Sequence, residues 1–173
     1  MNYLTPTLLN SWLYYLNSEY CTIDDFLRTL KREPFERTKP MQDGIDFEDE
    51  VFKGMHEFYN PYIQGADYQV KLTGEYNGIM IVGVADFIRP DLIIDVKKTK
   101  SYELGKYFNT SQHIIYPYLT DINNFKYLIR CGKQDYEEEY KYKEGQAEKL
   151  IDDFISWLKA TNLYETWKLH WNK

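Results

Sequence analysis

The stretch "LIIDVKKTK", residues 92–100, decides how the rest of the chain is read. Leu92, Ile93, Ile94 and Val96 have the character of a buried β-strand, yet Asp95 sits among them and Lys97 follows two residues later. Side chains alternate across a strand, so Asp95 and Lys97 share one face and Lys98 points to the other. An unpaired buried charge costs on the order of several kcal/mol or neutralises itself. The pair is therefore a structural salt bridge, or part of a site that accommodates something else.

Working outward, "IMIVGVADFI" (residues 79–88) is a nearly continuous apolar strand, and Pro90-Asp91 reads as the turn joining it to the first. With an even loop centred on that turn, Ile88 faces Ile93 and Asp86 faces Asp95; the proline leaves open a longer loop and a slip of one residue. Two opposed carboxylates repel by roughly 0.2–1 kcal/mol on a surface and by more when buried. A divalent cation between them reverses that sign, and hard cations such as Mg²⁺ take such oxygen sites. A lysine alongside can orient or help deprotonate a water and steady a charged phosphate. The plainer alternative is a buried Asp95–Lys97 or Asp86–Lys97 ion pair with no chemistry. Asp91 is a rival acid, but aspartate is common in turns for backbone reasons.

The segment that follows adds two features. "QHIIY" places Gln112 and Tyr116 at i and i+4, on one helix face. Both have polar tips able to contact a nucleic-acid backbone, although Tyr116 equally suits a core. Between residues 97 and 116, Lys97, Lys98, Lys100 and Lys106 stand against Glu103 alone, in a chain of net charge −6. A basic strip beside paired carboxylates in an acidic chain has the pattern of a phosphodiester track; a solvated lysine loop is the alternative.

The remaining chain supplies an α/β frame. Thr5-Pro6 caps a helix through about Asn17, and "CTIDDFLRTLKR" (residues 21–32) is a second, capped by Thr22. Residues 32–44 read as a loop broken by Pro34 and Pro40, and residues 45–59 as a third helix ending before Asn60-Pro61. "YQVKLTGEY" (residues 68–76) alternates as a strand and is followed by an Asn77-Gly78 turn. Residues 109–122 read as a helix, capped among Asn109, Thr110 and Ser111 and kinked at Pro117. Residues 125–132 and 135–143 read as strands, residues 145–161 as an amphipathic helix, and a short helix follows to Trp171. Helices, three strands, helix, strands and helix imply a sheet with helices packed on it.

Asp86, Asp95-x-Lys97 and Gln112-x-x-x-Tyr116 together resemble the PD-(D/E)XK nuclease superfamily, in its RecB-like and lambda-exonuclease-like branch. The wording of residues 83–119 is similar to phage-type members. Ala85 stands where that family has its name-giving proline, which is not a chemical group. The resemblance implies a restriction-endonuclease-like αβββαβ core, a central mixed sheet flanked by helices with extra N- and C-terminal helices. It implies a metal-dependent deoxyribonuclease, with an exonuclease in phage or mobile-element DNA processing or recombination as its form. Asp86, Asp95 and an upstream acid would hold Mg²⁺ or Mn²⁺, with the carbonyl of Val96 as a further ligand. Lys97 would act on the water, Gln112 and Tyr116 would hold the DNA strand and the lysine region, and Lys98, Lys100 and Lys106 would line the track. A module of the same fold that binds nucleic acid or protein without cutting is the alternative.

For the upstream acid, Glu48, Asp49, Glu50 and Glu57 are candidates. Ile45, Glu48, Phe52, Met55 and Tyr59 fall at helical spacing, so Glu48 alone interrupts an apolar stripe while Asp49 projects away. Gly44-x-x-x-Glu48 also resembles the first motif of phage-type members. His56 is a further candidate ligand, because some relatives use a histidine.

Bulk properties bound these readings. The 173 residues are 43% hydrophobic and 28% charged, which suits one globular domain over residues 1–173. No apolar run approaches the ~20 residues that span a bilayer, so no membrane partner is expected. The N-terminal segment lacks the basic start of a signal peptide. Cys21 and Cys131 can form neither a disulfide framework nor a four-cysteine iron–sulfur site, and a cytoplasmic setting is expected. DNA is the expected partner; oligomeric state is left open.

Overall fold

The chain is arranged around the strand that precedes "LIIDVKKTK". The structure, a computed structural model, describes residues 1–172. Its elements are β1 (Tyr3–Leu4), α1 (Pro6–Asn17), α2 (Ile23–Leu30), α3 (Lys39–Phe52), α4 (Asn60–Ile63), β2 (Asp67–Tyr76), β3 (Ile79–Arg89), β4 (Leu92–Thr99), α5 (Gln112–Thr120), β5 (Asn124–Cys131), β6 (Gln134–Lys141), α6 (Gln146–Ala160) and α7 (Tyr164–His170). This is the expected αβββαβ order with additional terminal helices. Strand β2 runs antiparallel along one edge of β3. The other edge of β3 is shared: β1 pairs in parallel at Met80 and Ile81, and β4 pairs antiparallel at Phe87, Ile88 and Arg89. Helix α5 then crosses over to β5, parallel to β4, and β6 closes the sheet antiparallel to β5. A mixed sheet flanked by helices is the restriction-endonuclease-like architecture.

Helices cover both faces because the strands are apolar on both. One core joins Leu8, Leu9 and Trp12 of α1, Phe26 of α2, Ile115 of α5 and Phe154 of α6 to Ile93, Phe125 and Tyr127. The other packs Phe47 and Val51 of α3, with Tyr59, on Phe87, Ile94, Val96 and Leu128. Burying a side chain such as Ile94 stabilises by roughly 1.5–3 kcal/mol.

Local signals set most boundaries. The Thr5 hydroxyl accepts the Leu8 N–H, and Thr22 with Asp25 forms a reciprocal capping box. Asn77 and Gly78 both have positive φ (48° and 74°), as a tight hairpin turn requires. One expectation is corrected. Helix α3 spans Lys39–Phe52 rather than residues 45–59, because Pro40 lies in its first turn and Thr38 caps it. It stops at Lys53-Gly54, where Gly54 has φ 74° and the N–H groups of Gly54 and Met55 bond to Val51 and Glu50. The supposed stripe therefore does not exist: Met55 and Tyr59 lie beyond the helix, Ile45 and Phe52 are exposed, and the buried positions are Phe47 and Val51. Strand β1 has no counterpart in the sequence reading, because its two residues are too few to show a period.

Candidate active site

Because β1 and β4 share one edge of β3, that edge is unpaired between Ile81 and Phe87. Side chains fill the resulting fork. The Tyr116 hydroxyl donates to the Val84 carbonyl at 2.8 Å, and its ring lies where a side chain on Gly83 would be, 2.6 Å from an added Cβ. At the β4 end of the fork the Asp86 carboxylate accepts the backbone N–H of Val96 at 2.8 Å. The hairpin register is the expected one, with Ile88 opposite Ile93, but the backbone ladder ends at Phe87 and Ile94. The expected ladder pair of Asp86 and Asp95 is thus replaced by a side-chain-to-backbone bond. Strand alternation breaks at the same place. Ala85 belongs to one core and Phe87 to the other. On β2, the ladder to β3 omits Gln69, which has φ 53°. This irregularity directs Asp86 toward β4 instead of leaving it on a sheet face.

Asp95 is 2% exposed. Its Oδ2 accepts from Gln112 Nε2 at 2.9 Å, and Lys97 Nζ lies 2.6 Å from its Oδ1. Apart from that ammonium, Oδ1 meets no hydrogen-bond donor among the described residues. Gln112 is fixed in turn: its Oε1 accepts from Asn10 at 3.0 Å, and Asn10 Oδ1 accepts the Ser111 N–H and hydroxyl at 2.6 and 2.8 Å. Asn10 carried no sequence signal, since its partners are about a hundred positions away. Glu48 reaches the group from α3 and accepts a hydrogen bond from Gln69, another residue that sequence reasoning missed.

The electrostatics follow from this crowding. Burial pushes the Asp86 carboxyl well above the usual range, and the charges of Asp95 and Glu48 add to it; Lys97 and the Val96 N–H oppose. Burial also raises Glu48, against hydrogen bonds from Gln69 and Tyr68, with Asp95 adding and Lys97 opposing. For Lys97 burial favours the neutral amine, but Asp95 and Asp86 outweigh it and hold the ammonium above its ordinary range. Three acids thus share one lysine.

The other expected residues lie apart. Lys98 Nζ sits 5.6 Å from the Phe47 ring centre, on the opposite sheet face. Lys100 is exposed at the end of β4, and Lys106 bonds to Thr99 Oγ1 and the Ser101 carbonyl, both at 2.6 Å. His56 pairs with Glu50 at 2.8 Å. Among the described residues no three His, Cys, Asp or Glu side chains are arranged to hold a metal ion as they stand. The donor set nevertheless fits a hard cation. Asp95 Oδ1 is buried with only the Lys97 ammonium beside it, Asp86 has a backbone N–H but, among the described residues, no ion-pair partner, and a cation would relieve their mutual repulsion. Asp86 and Asp95 would hold it, with Glu48 once released from Gln69. Val96, expected to contribute its carbonyl, meets Asp86 through its N–H.

No protein-family model matches the chain, and no curated protein matches its sequence. Solved structures do match. An alkaline exonuclease from Laribacter hongkongensis superposes with a TM-score of 0.61 at 13% identity, over 96% of this chain and 93% of that one. A phage-related exonuclease from Haemophilus somnus gives 0.55 at 16% identity, over 90% and 92%. At such identities the likeness is one of fold, and the chain has the restriction-endonuclease-like fold of these exonucleases.

Proposed function

We propose that the chain is a divalent-metal-dependent deoxyribonuclease, an exonuclease acting in phage or mobile-element DNA processing or recombination. The observation that carries this reading is the excess of acid at the fork. A structural salt bridge needs one carboxylate for Lys97, whereas Asp86 and Glu48 also lie within electrostatic reach of Lys97 and Asp95, and among the described residues Asp86 has no ion-pair partner. Proteins keep such a cost at sites that bind or react.

Bound Mg²⁺ or Mn²⁺ supplies Lewis-acid polarisation of the phosphate and a nucleophile at neutral pH. Asp86 and Asp95 hold it, and Glu48 completes the carboxylate set. The Lys97 ammonium orients the attacking water and stabilises negative charge developing on the phosphate. Gln112 and Tyr116 have their polar ends engaged inside the protein, so they fix Asp95 and the fork of β3. Lys100 and Lys106, exposed, are left to meet the DNA backbone.

A catalytically silent binding module is the second reading, favoured by Lys97 lying on Asp95 and Gln69 on Glu48. Digestion of linear and circular DNA with Mg²⁺ or Mn²⁺ decides between them. Degradation of linear DNA alone supports an exonuclease, cutting of both an endonuclease, and no cutting of either the silent module.

A further inference from the structure

Asp95 is the first member of a row that crosses three strands. Tyr127 of β5 lies beside it in the parallel ladder, and Glu138 of β6 lies opposite Tyr127 in the antiparallel one. Glu138 is 4% exposed and, among the described residues, has no salt bridge. A buried carboxylate without a cation needs several donors to be tolerated. Here each oxygen takes one phenol and one backbone N–H. Oε1 accepts from the Tyr102 hydroxyl at 3.0 Å and the Gly105 N–H at 2.9 Å; Oε2 accepts from the Tyr140 hydroxyl at 2.6 Å and the Tyr107 N–H at 3.4 Å.

Three of those donors belong to residues 100–111, the irregular segment that joins β4 to α5. Its two ends carry the site: Lys97 precedes it and Gln112, the partner of Asp95, follows it. A connection of this length without regular structure is ordinarily mobile. Glu138 ties down its middle, and Tyr107 is thereby stacked on Tyr127 with ring centres 4.9 Å apart. Lys97 Nζ lies 5.8 Å from the centre of the same Tyr127 ring. Tyr107 also senses the site electrostatically: burial pushes its hydroxyl up to about 12, with Lys97 opposing and Asp95 adding.

We propose that Glu138 is a positioning residue for phosphodiester cleavage, clamping residues 102–107 so that Tyr107, Tyr127 and Lys97 form one fixed wall of the site. This rests on the nuclease reading above. Glu138→Gln is the informative change because a carboxamide has one oxygen. Whichever side its NH₂ takes, it faces a backbone N–H that cannot reverse its polarity.

The test compares wild type, Glu138→Gln and Glu138→Asp as full chains. It measures kcat and KM on linear DNA with Mn²⁺, thermal melting, and amide hydrogen exchange. Glu138→Gln should lower kcat by roughly ten- to a hundredfold with a smaller change in KM, and raise exchange at residues 101–111 while the strands stay protected. Glu138→Asp, which retains both acceptor oxygens, should recover part of kcat. Unchanged kcat in Glu138→Gln overturns the proposal while leaving the nuclease reading intact, as does loss of protection spread over the whole sheet. A wild-type protein that cuts no DNA overturns both.

Discussion

The Asp86 carboxylate occupies the place of a backbone acceptor for Val96: the ladder between β3 and β4 ends at Phe87 and Ile94, and the next N–H goes to a side chain. A half-buried acid is thereby held by a single backbone donor, next to two other acids. Its elevated affinity for a proton has a consequence for stability. A carboxyl whose folded pKa is raised contributes stability fully present below its unfolded value of about 3.9, and lost as pH rises through the folded value. Asn at this position still offers an oxygen to Val96 but has nothing to ionise. In metal-free buffer, Asp86→Asn should be more stable than wild type near neutral pH, and the difference should close on acidification. Urea melts across that range check it; parallel curves for the two proteins would mean that Asp86 is not strained by charge.

His113 gives the opposite sign. Burial lowers its pKa to about 4, and its ring is stacked on Tyr140 with centres 4.1 Å apart. Its contribution is present above the ordinary histidine value of about 6.5 and is lost as pH falls through about 4. Replacement by Phe removes that loss. The variant should resist acid better than wild type between those values, as read by circular dichroism. An acid transition unmoved by His113→Phe counts against this assignment.

Metal binding should release protons. Asp86 and Glu48 both hold protons more tightly than usual, and a cation requires them ionised. Calorimetric titration with Mn²⁺ in two buffers of different ionisation enthalpy should give different apparent heats, and apparent affinity should rise with pH. Asp95→Asn should abolish the response. Identical heats in both buffers, or binding that survives Asp95→Asn, would place the ion elsewhere.

The fork predicts a contrast between two glycines. A Cβ on Gly83 meets Tyr116 Cε1 at 2.6 Å and Pro6 Cγ at 3.3 Å, and the buried Tyr116 ring is held by its bond to Val84. Gly83→Ala should cost roughly 1–3 kcal/mol and reduce activity with it. Gly44 lies within α3 with nothing within 4 Å of an added Cβ, so Gly44→Ala should stabilise by up to about 1 kcal/mol. Denaturant midpoints of the two variants should move in opposite directions.

The legible and illegible parts of the fold divide by sequence distance. Of the registers left open at Pro90-Asp91 the structure has the even, two-residue loop, Thr5 and Thr22 announce their helices, and period-2 alternation puts Asp95 and Lys97 together. These are local rules. Glu48 was singled out through a stripe that does not form; α3 reaches the site for a different reason, the packing of Phe47 and Val51 on Ile94 and Val96. The apolar spacing runs on past Lys53-Gly54, whereas the helix ends there, at a glycine with φ 74°. Asn10, Gln69 and Glu138 were invisible because each acts through a partner brought in by the fold. Gln69 is the sharpest case: its positive φ and its bond to Glu48 exist only once β2, β3 and α3 are assembled.

The neighbouring lysines give the most direct test of the chemistry. Lys97 Nζ is 2.6 Å from Asp95 Oδ1 on one sheet face, and Lys98 Nζ lies over Phe47 on the other. Charge at Lys97 can act on the phosphate and its attacking water, an effect typically worth a few kcal/mol. Lys97→Ala should therefore lower cleavage by roughly 10²-fold or more while DNA and Mn²⁺ still bind; Mn²⁺ should even bind more tightly, since the ammonium no longer occupies Asp95. Lys98→Ala should be nearly silent, weakening DNA binding slightly and in a salt-dependent way. Steady-state cleavage together with Mn²⁺ titration separates the two variants. If Lys98→Ala abolishes cleavage and Lys97→Ala does not, the wrong face of β4 has been assigned to the reaction. If wild type cuts DNA and neither change alters the rate, the Asp95–Lys97 pair is structural and the reaction is carried by other groups.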